Sequence, residues 1–420
     1  MLDLKRIRED PDGVRAALQR RDPALADALA EVLAKDQHWR HATAAAESLR
    51  AEQSEQSEHV AAAKKAGGDA GAELARLKDM SAQVKELTEQ ARVGQEQLQA
   101  ALALMPNLPD ATAAPGPDDE VISEVGEVPT LAFAPRDHLE LAGEMIDMDR
   151  AAKLSGSRFA YLKGDLVMLE LALVSWVLQK LRRHGFEPVI PPVLVRERAL
   201  FGTGFLPDTE QQLYRLGEDE LYLIGTSEVA LASLHDGEIL DAEQLPVSYA
   251  GLSSCFRREA GAAGRDTRGI FRVHQFEKVE MFSFVAPEES AAEHERILGI
   301  EEEILHELGL PYRVVNIAVS DLGSSAAKKY DCEAWLPSEG RYRELTSCSN
   351  TTDFQARRLN IRMRAGKRTQ TPHTLNGTAV AVGRTIVALL ENGQQADGRV
   401  ELPEALVPYG GPARLSPASG

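Results

Sequence analysis

Residues 24 to 65 contain neither proline nor glycine, and this stretch more than any other limits what the N-terminal part of the chain can become. It is rich in Ala, Glu, Gln and Lys, residues that lose little side-chain freedom in a helix, and it follows Asp22-Pro23, a good cap and first-turn pair. Gly67, Gly68 and Gly71 break the pattern, and a second helix-forming run continues to Met105, where Pro106 stops it. In that run Leu77, Met80, Val84, Leu87, Ala91, Gly94, Leu98, Ala101 and Met105 recur at the 3,4 spacing of a coiled-coil seam, with Gly94 its one poor member. Two long helices joined by a short glycine turn predict an antiparallel hairpin, extending roughly 50 to 60 Å at about 1.5 Å per residue. An arm of that shape buries too little to be a core, so it serves either oligomerisation or reach. Arg40, Arg50, Lys64, Lys65, Arg76, Lys78 and Lys85 are mixed with acids along it, the pattern of a solvated coiled-coil face more than of a nucleic-acid grip.

Beyond the arm, residues 106 to 130 carry Pro106, Pro109, Pro115, Pro117 and Pro129 with Asp118-Asp119-Glu120, and read as a linker. From about residue 131 apolar runs mix with strand patterns, with helices expected over 165 to 184 and 288 to 308. A chain of 420 residues has room for two or three domains. Its net charge of -18 argues against nonspecific coating of nucleic acid, while a specific RNA partner stays open. Cys255, Cys332 and Cys348 form no C-x-x-C and no zinc pattern, which fits a reducing cytoplasm. No secretory signal is visible at the N-terminus. The most apolar segment, Leu166 to Leu178, is too short for a membrane span and contains Glu170, so it reads as a buried or interface helix. Neither G-x-G-x-x-G nor a P-loop occurs, so a nucleotide site would have to be built on an antiparallel sheet.

The stretch CFRREAGAAGRDTRGIFRVHQFEKVEM, residues 255 to 281, predicts a β-hairpin whose loop runs from Gly261 through Gly264 to Gly269. Alternation sets Phe271, Val273, Val279 and Met281 on one face and Arg272, His274, Phe276, Lys278 and Glu280 on the other, while Arg257 and Glu259 share a face of the first flank. One reading is a solvated amphipathic hairpin with weak ion pairs. The other is a site for a ligand with anionic and flat aromatic parts, such as a nucleotide, because Phe276 sits among the charges.

Three further segments carry chemistry. LYLIGTSEVALASL places Thr226 and Glu228 on one strand face beside a helix start. RYRELTSCSNTTDFQARR holds Glu344 and Ser347 near a strand end, where strict alternation would set them on opposite faces unless a bulge intervenes. HTLNGTAVAVGRTIVALLEN reads as a strand with Asn376 and Thr378 on one face, followed by a helix with Arg384 in its first turn. Together with the opening MLDLKRIREDPDGVRAAL, RAAKLSGSRFAYLKGD, HGFEPVIPPVLV and ENGQQADGRVELPEALVPY, these resemble the class II aminoacyl-tRNA synthetases, specifically the bacterial seryl-tRNA synthetase family, over nearly the whole chain.

That resemblance implies an α+β fold: a class II antiparallel sheet flanked by helices, with an N-terminal antiparallel coiled-coil arm. Its domains would be a tRNA-binding arm over 1 to 105, a linker over 106 to 130 and a catalytic domain with motifs 1, 2 and 3 over 131 to 420. The implied activity is ATP-dependent conversion of L-serine to seryl-adenylate and transfer to tRNA(Ser). Arg257, Arg384 and Glu344 would be the catalytic set, with Arg257 on the ATP α-phosphate and the serine carboxylate and Arg384 on the γ-phosphate of a bent ATP. The ATP set would be completed by Arg258, Glu259, Arg272, Val273, Phe276, Leu345, Thr346 and Ser347, with Phe276 stacking on adenine and Glu344 and Ser347 as Mg²⁺ ligands through ATP. Thr226, Ser227, Glu228, Glu280, Asn376 and Thr378 would bind serine. The resemblance further implies a cytoplasmic homodimer without zinc or membrane attachment, whose arm reads the long variable arm of tRNA(Ser) largely by shape. Whether tRNA(Sec) is also a substrate, and whether the chain is a housekeeping or an accessory copy, stay open. The motif 2 string has Arg258 where Ser is common, and Thr226-Ser227-Glu228 replaces the common Thr-Ala-Glu.

Overall fold

The computed structural model describes residues 1–67, 69–207, 212–260, 264, 266 and 268–416. Leu2–Pro106 forms one compact unit and the rest of the chain the other.

The first unit holds α1 (Leu4–Glu9), α2 (Pro11–Arg21), α3 (Leu25–Lys65) and α4 (Gly71–Leu104). Asp3 and Asp10 cap α1 and α2 by accepting from the backbone of Lys5 and Gly13, and Pro11 opens α2 where its missing N–H costs nothing. Asp22 instead accepts from the Ala24 N–H at 2.9 Å, and α3 begins one residue later. The expected seam is observed: Met80, Val84, Gly94 and Leu98 are buried, while Leu77, Leu87, Ala91 and Ala101 are half-buried. Gly94 is buried against Trp39, where an added Cβ would lie 3.4 Å from the Trp39 Cα, ordinary van der Waals contact. Asp36, buried on α3, accepts from Arg8 Nε at 3.0 Å and Arg40 Nε at 3.1 Å, which ties α1 to α3. In the turn, Gly68 lies outside the described residues.

The second unit is organised by an eight-stranded sheet of β1 (Glu120–Val125), β2 (Glu187–Val189), β3 (Val247–Phe256), β4 (Gln275–Val285), β5 (Tyr312–Asn316), β6 (Lys328–Leu336), β7 (Arg341–Thr352) and β8 (His373–Ala381). Their order is β1-β5-β6-β7-β8-β4-β3-β2, with every pair antiparallel except β2 with β3. Helices α5 (Asp165–Arg183), α7 (Ser290–Glu307) and α9 (Val382–Asn392) cover one face, where Leu169, Trp176, Val279, Met281, Ile297, Leu375 and Ile386 share the main core. Two short helices, α6 (Glu228–Ala232) and α8 (Phe354–Arg358), complete the frame of the site. Among the described residues no helix is long and apolar enough to cross a membrane.

Two expectations need correction. Residues 106 to 130 are not all linker: Glu120–Val125 pairs with β5 as the edge strand β1. Its β-branched run, Val121-Ile122, supplies the strand, and the flanking prolines and acids masked it in the sequence. The hairpin strands are also shorter than alternation suggested, ending at Phe256 and resuming at Gln275, so Arg257, Glu259, Arg272 and His274 lie beyond the ladder. Of its loop, residues 261–263, 265 and 267 lie outside the described residues.

Close packing of α7 on the sheet depends on Gly377 in β8. A Cβ there would meet Ile297 Cγ2 at 2.4 Å and Cys348 Cβ at 3.0 Å, so the helix or the strand must move. Gly377→Ala is expected to cost about 1–3 kcal/mol by overpacking, read as a lowered denaturation midpoint; an unchanged midpoint would contradict this packing.

Candidate active site

The solvent-side face of the sheet gathers two groups of opposite charge. At the acidic end the strand Leu221–Leu223 stops early, so Thr226 and Glu228 do not share a strand face: Thr226 lies in the turn and Glu228 is the first residue of α6. Thr226 Oγ1 accepts from the Glu228 N–H at 3.2 Å and from Lys278 Nζ at 2.8 Å. Lys278 also ion-pairs with Glu280, its neighbour on the same face of β4. Glu280 accepts from Asn376 Nδ2 at 3.0 Å and Thr378 Oγ1 at 3.2 Å. Among the described residues Glu228 receives only neutral side-chain donors, Gln355 Nε2 at 2.7 Å and Asn376 Nδ2 at 3.4 Å. Burial above all, then the charge of Glu280, pushes its carboxyl up to about 7. Among the described residues no hydrogen-bond donor reaches the buried Asn376 Oδ1, an acceptor suited to a donor-rich ligand.

At the basic end, Arg257 leaves β3 and is clasped by His274: its N–H donates to the His274 carbonyl, and its carbonyl lies 2.9 Å from His274 Nδ1. Its Nε donates to the Gly225 carbonyl at 3.2 Å, and its guanidinium stands 5.3 Å from the Phe276 ring centre. Arg257 thereby spans the acidic end and the aromatic. Arg272 is fixed by Glu259 at 2.6 Å and Asp266 at 3.2 Å. Arg384, in the first turn of α9, donates to the Glu344 carbonyl at 3.0 Å and to its Oε1 at 3.2 Å. The Arg343 and Arg384 guanidiniums both stand over the Phe271 ring, 4.0 and 4.8 Å from its centre.

The bulge demanded by Glu344 and Ser347 is present. Glu344 pairs with Glu333 while Thr346 pairs with Cys332, so Leu345 is the extra residue and both polar side chains reach one cavity. It sits within the twelve-residue β7 rather than at its end. Burial alone would raise the Glu344 carboxyl, but Arg384, Lys329 and Arg257 together outweigh it and hold the group below its usual value.

One cavity of about 360 Å³ brings together Thr226, Glu228, Arg257, Glu259, Arg272, Val273, Phe276, Glu280, Glu344, Leu345, Ser347, Asn376, Thr378 and Arg384. Three expected members do not line it. The Ser227 hydroxyl donates to the Gly251 carbonyl at 3.3 Å, Thr346 points through the sheet to Glu301 at 2.9 Å, and Arg258 contributes its backbone N–H to the Gln212 carbonyl. Lys278, Lys329, Phe271 and Gln355 were missed as site residues; alternation had placed Lys278 on the right face, and no sequence signal marked the others. For a divalent cation the donors on this wall are the ionised Glu344 and the Ser347 hydroxyl. Two hard oxygens suit a Mg²⁺ ion held mainly by phosphates and water. Among the described residues no cluster of three His, Cys, Asp or Glu side chains could hold a metal by itself.

With this geometry in place, comparison with known proteins is decisive. The serine-tRNA ligase of Acidothermus cellulolyticus is 51% identical over 99% of this chain and 100% of its own length, and that of Streptomyces coelicolor is 50% identical over 100% of both. The chain belongs to the seryl-tRNA synthetase family. Residues 1–109 match the family's N-terminal domain, and residues 211–393 match the class II tRNA synthetase core domain (G, H, P, S and T). The crystal structure of a seryl-tRNA synthetase from Pyrococcus horikoshii complexed with ATP superposes with a TM-score of 0.96 at 40% identity, covering 100% of both chains. The seryl-tRNA synthetase fold, a large antiparallel sheet with long N-terminal helices, is thus the fold of this chain.

Proposed function

We propose that this chain is a serine-tRNA ligase whose cavity binds ATP and L-serine side by side, with Arg257 between them. The observation that carries this reading is the polarity of the cavity: Glu228 and Glu280 at one end, Arg257, Arg272 and Arg384 at the other, and Phe276 beside Arg257. An amino acid offers an ammonium to the carboxylates and a carboxylate to Arg257, while a triphosphate requires the remaining guanidiniums.

In the first step a serine carboxylate oxygen attacks the α-phosphorus, the bond to the bridging oxygen breaks, and pyrophosphate leaves. Arg257 holds both reactants and Arg384 the outer phosphate, so the chemistry proceeds by positioning and charge neutralisation, with no protein general base. In the second step a terminal ribose hydroxyl of tRNA attacks the acyl carbon and AMP leaves. Glu344 and Ser347 would hold a Mg²⁺ ion, which supplies charge neutralisation to the phosphates when bound. Small hydroxyl-bearing serine is selected by polar partners, Thr378 and the free Asn376 acceptor, because size alone discriminates weakly.

The arm, residues 1 to 105, is assigned to tRNA(Ser) and residues 131 to 420 to catalysis, in a cytoplasmic homodimer. Exposed Val167, Met168 and Leu171 form an apolar stripe on α5 opposite its buried Leu166, Leu169 and Leu173, and Ile190 is 82% exposed nearby in sequence, surface that a second copy would cover.

Adenine stacking on Phe276 gives a direct test. Phe276→Ala is expected to raise the ATP KM by about 5- to 150-fold, the worth of about 1–3 kcal/mol for one stacked base, with the serine KM within about twofold of wild type. An unchanged ATP KM would remove Phe276 from the adenine site.

A further inference from the structure

We propose that Gln355 is a positioning residue for recognition of the substrate ammonium: its side-chain amide grips one oxygen of Glu228 and leaves the other directed at the cavity. The inference rests on the serine-activating reading above and adds a residue to it. Gln355 lies on α8, is fully buried and stands behind the cavity wall. Its Nε2 donates to Glu228 Oε1 at 2.7 Å and to the Thr203 carbonyl at 3.2 Å, and its Oε1 accepts from Thr374 Oγ1 at 3.0 Å.

The acceptors around Gln355 fix the orientation of its amide. The Thr374 and Thr351 hydroxyls lie 3.0 and 3.3 Å from Gln355 Oε1 and 2.6 Å from each other, so either can donate to the amide oxygen, while Nε2 faces two acceptors, Glu228 Oε1 and the Thr203 carbonyl. Both amide N–H groups then face Glu228 and Thr203. A flipped amide would set its oxygen against a carboxylate oxygen and a carbonyl, so these two acceptors select the donor orientation.

The grip matters because of what surrounds Glu228. Glu280 and Lys278 face it from β4, Arg257 from beyond β3 and Asn376 from β8. Lys278 pairs with Glu280, whereas among the described residues no cation pairs with Glu228. Glu228 is therefore the carboxylate left for an incoming ammonium. Burial and the Glu280 charge favour its protonated form, and the Gln355 donor works against both. A protonated Glu228 would attract an ammonium weakly, so Gln355 both orients the carboxylate and favours its ionised state.

The test is serine-dependent ATP/pyrophosphate exchange by the full chain between about pH 6 and 9, the range over which such a group titrates. For wild type, the serine KM should fall as pH rises through the titration of Glu228. Gln355→Met, similar in size without donors, should raise the serine KM about 10- to 100-fold at neutral pH and move its fall to higher pH, with kcat and the ATP KM within about twofold. Thr374→Val, which removes the nearer of the two hydroxyls beside the amide oxygen, should raise it about threefold in the same direction. An unchanged serine KM in Gln355→Met, or a loss of kcat and both KM values together without a shifted pH profile, would overturn the proposal. If Gln355→Met does not fold, Thr374→Val decides: a raised serine KM with the pH shift supports it, and wild-type behaviour overturns it. Wild type that fails to exchange with serine at all would instead overturn the underlying functional reading.

Discussion

Replacing Arg257 with alanine is expected to lower serine-dependent pyrophosphate exchange at least about a thousandfold, equivalent to about 4 kcal/mol of transition-state stabilisation, while tRNA binding changes little. The size follows from its position. Its guanidinium is held between the Gly225 carbonyl, next to Thr226, and the Phe276 ring, where one planar cation can meet both the serine carboxylate and the α-phosphate. Losing it removes charge neutralisation from both partners as the bond forms. Because the loss falls on the chemical step, kcat should drop with kcat/KM; an Arg257→Ala protein that retains exchange would refute the bridging role.

Shortening the arm is expected to separate the two half-reactions. Arg50 Nη2 reaches Thr88 Oγ1 at 3.3 Å, so α3 and α4 face each other at that level and residues 51 to 87 can be replaced by a short glycine-serine turn. The cut leaves the Asp36 contacts with Arg8 and Arg40, and the packing of Gly94 on Trp39, in place. Adenylate formation should remain within about twofold of wild type, while charging of tRNA(Ser) falls at least about a hundredfold, roughly 2.7 kcal/mol of lost tRNA affinity. Undiminished charging would show that the arm does not engage the tRNA.

What the sequence revealed about this fold, and what it hid, follows from the range of the interactions involved. The α3–α4 hairpin was legible because its seam is a local periodicity, and even Gly94, the seam's poor member, is buried on it against Trp39. Glu344 and Ser347 were legible through a contradiction: both are chemically suited to one ligand, yet alternation separates them, and the extra Leu345 resolves it. Alternation failed at Arg272 and His274, where the backbone leaves the ladder to clasp Arg257. It failed at Glu120–Val125 too, where prolines and acids surround a short edge strand. Gln355 gave no local signal at all. Its partners Thr203, Glu228 and Thr374 are distant in sequence, and only the packing of α8 beside α6 and β8 brings them together.

ATP/pyrophosphate exchange with each of the twenty amino acids, followed by charging of tRNA(Ser) with the same preparation, tests the central claim most directly. Exchange with serine alone, together with formation of seryl-tRNA, is the predicted result. Exchange driven by a different amino acid, or none with serine, would contradict the assignment of the acidic end of the cavity to the serine ammonium.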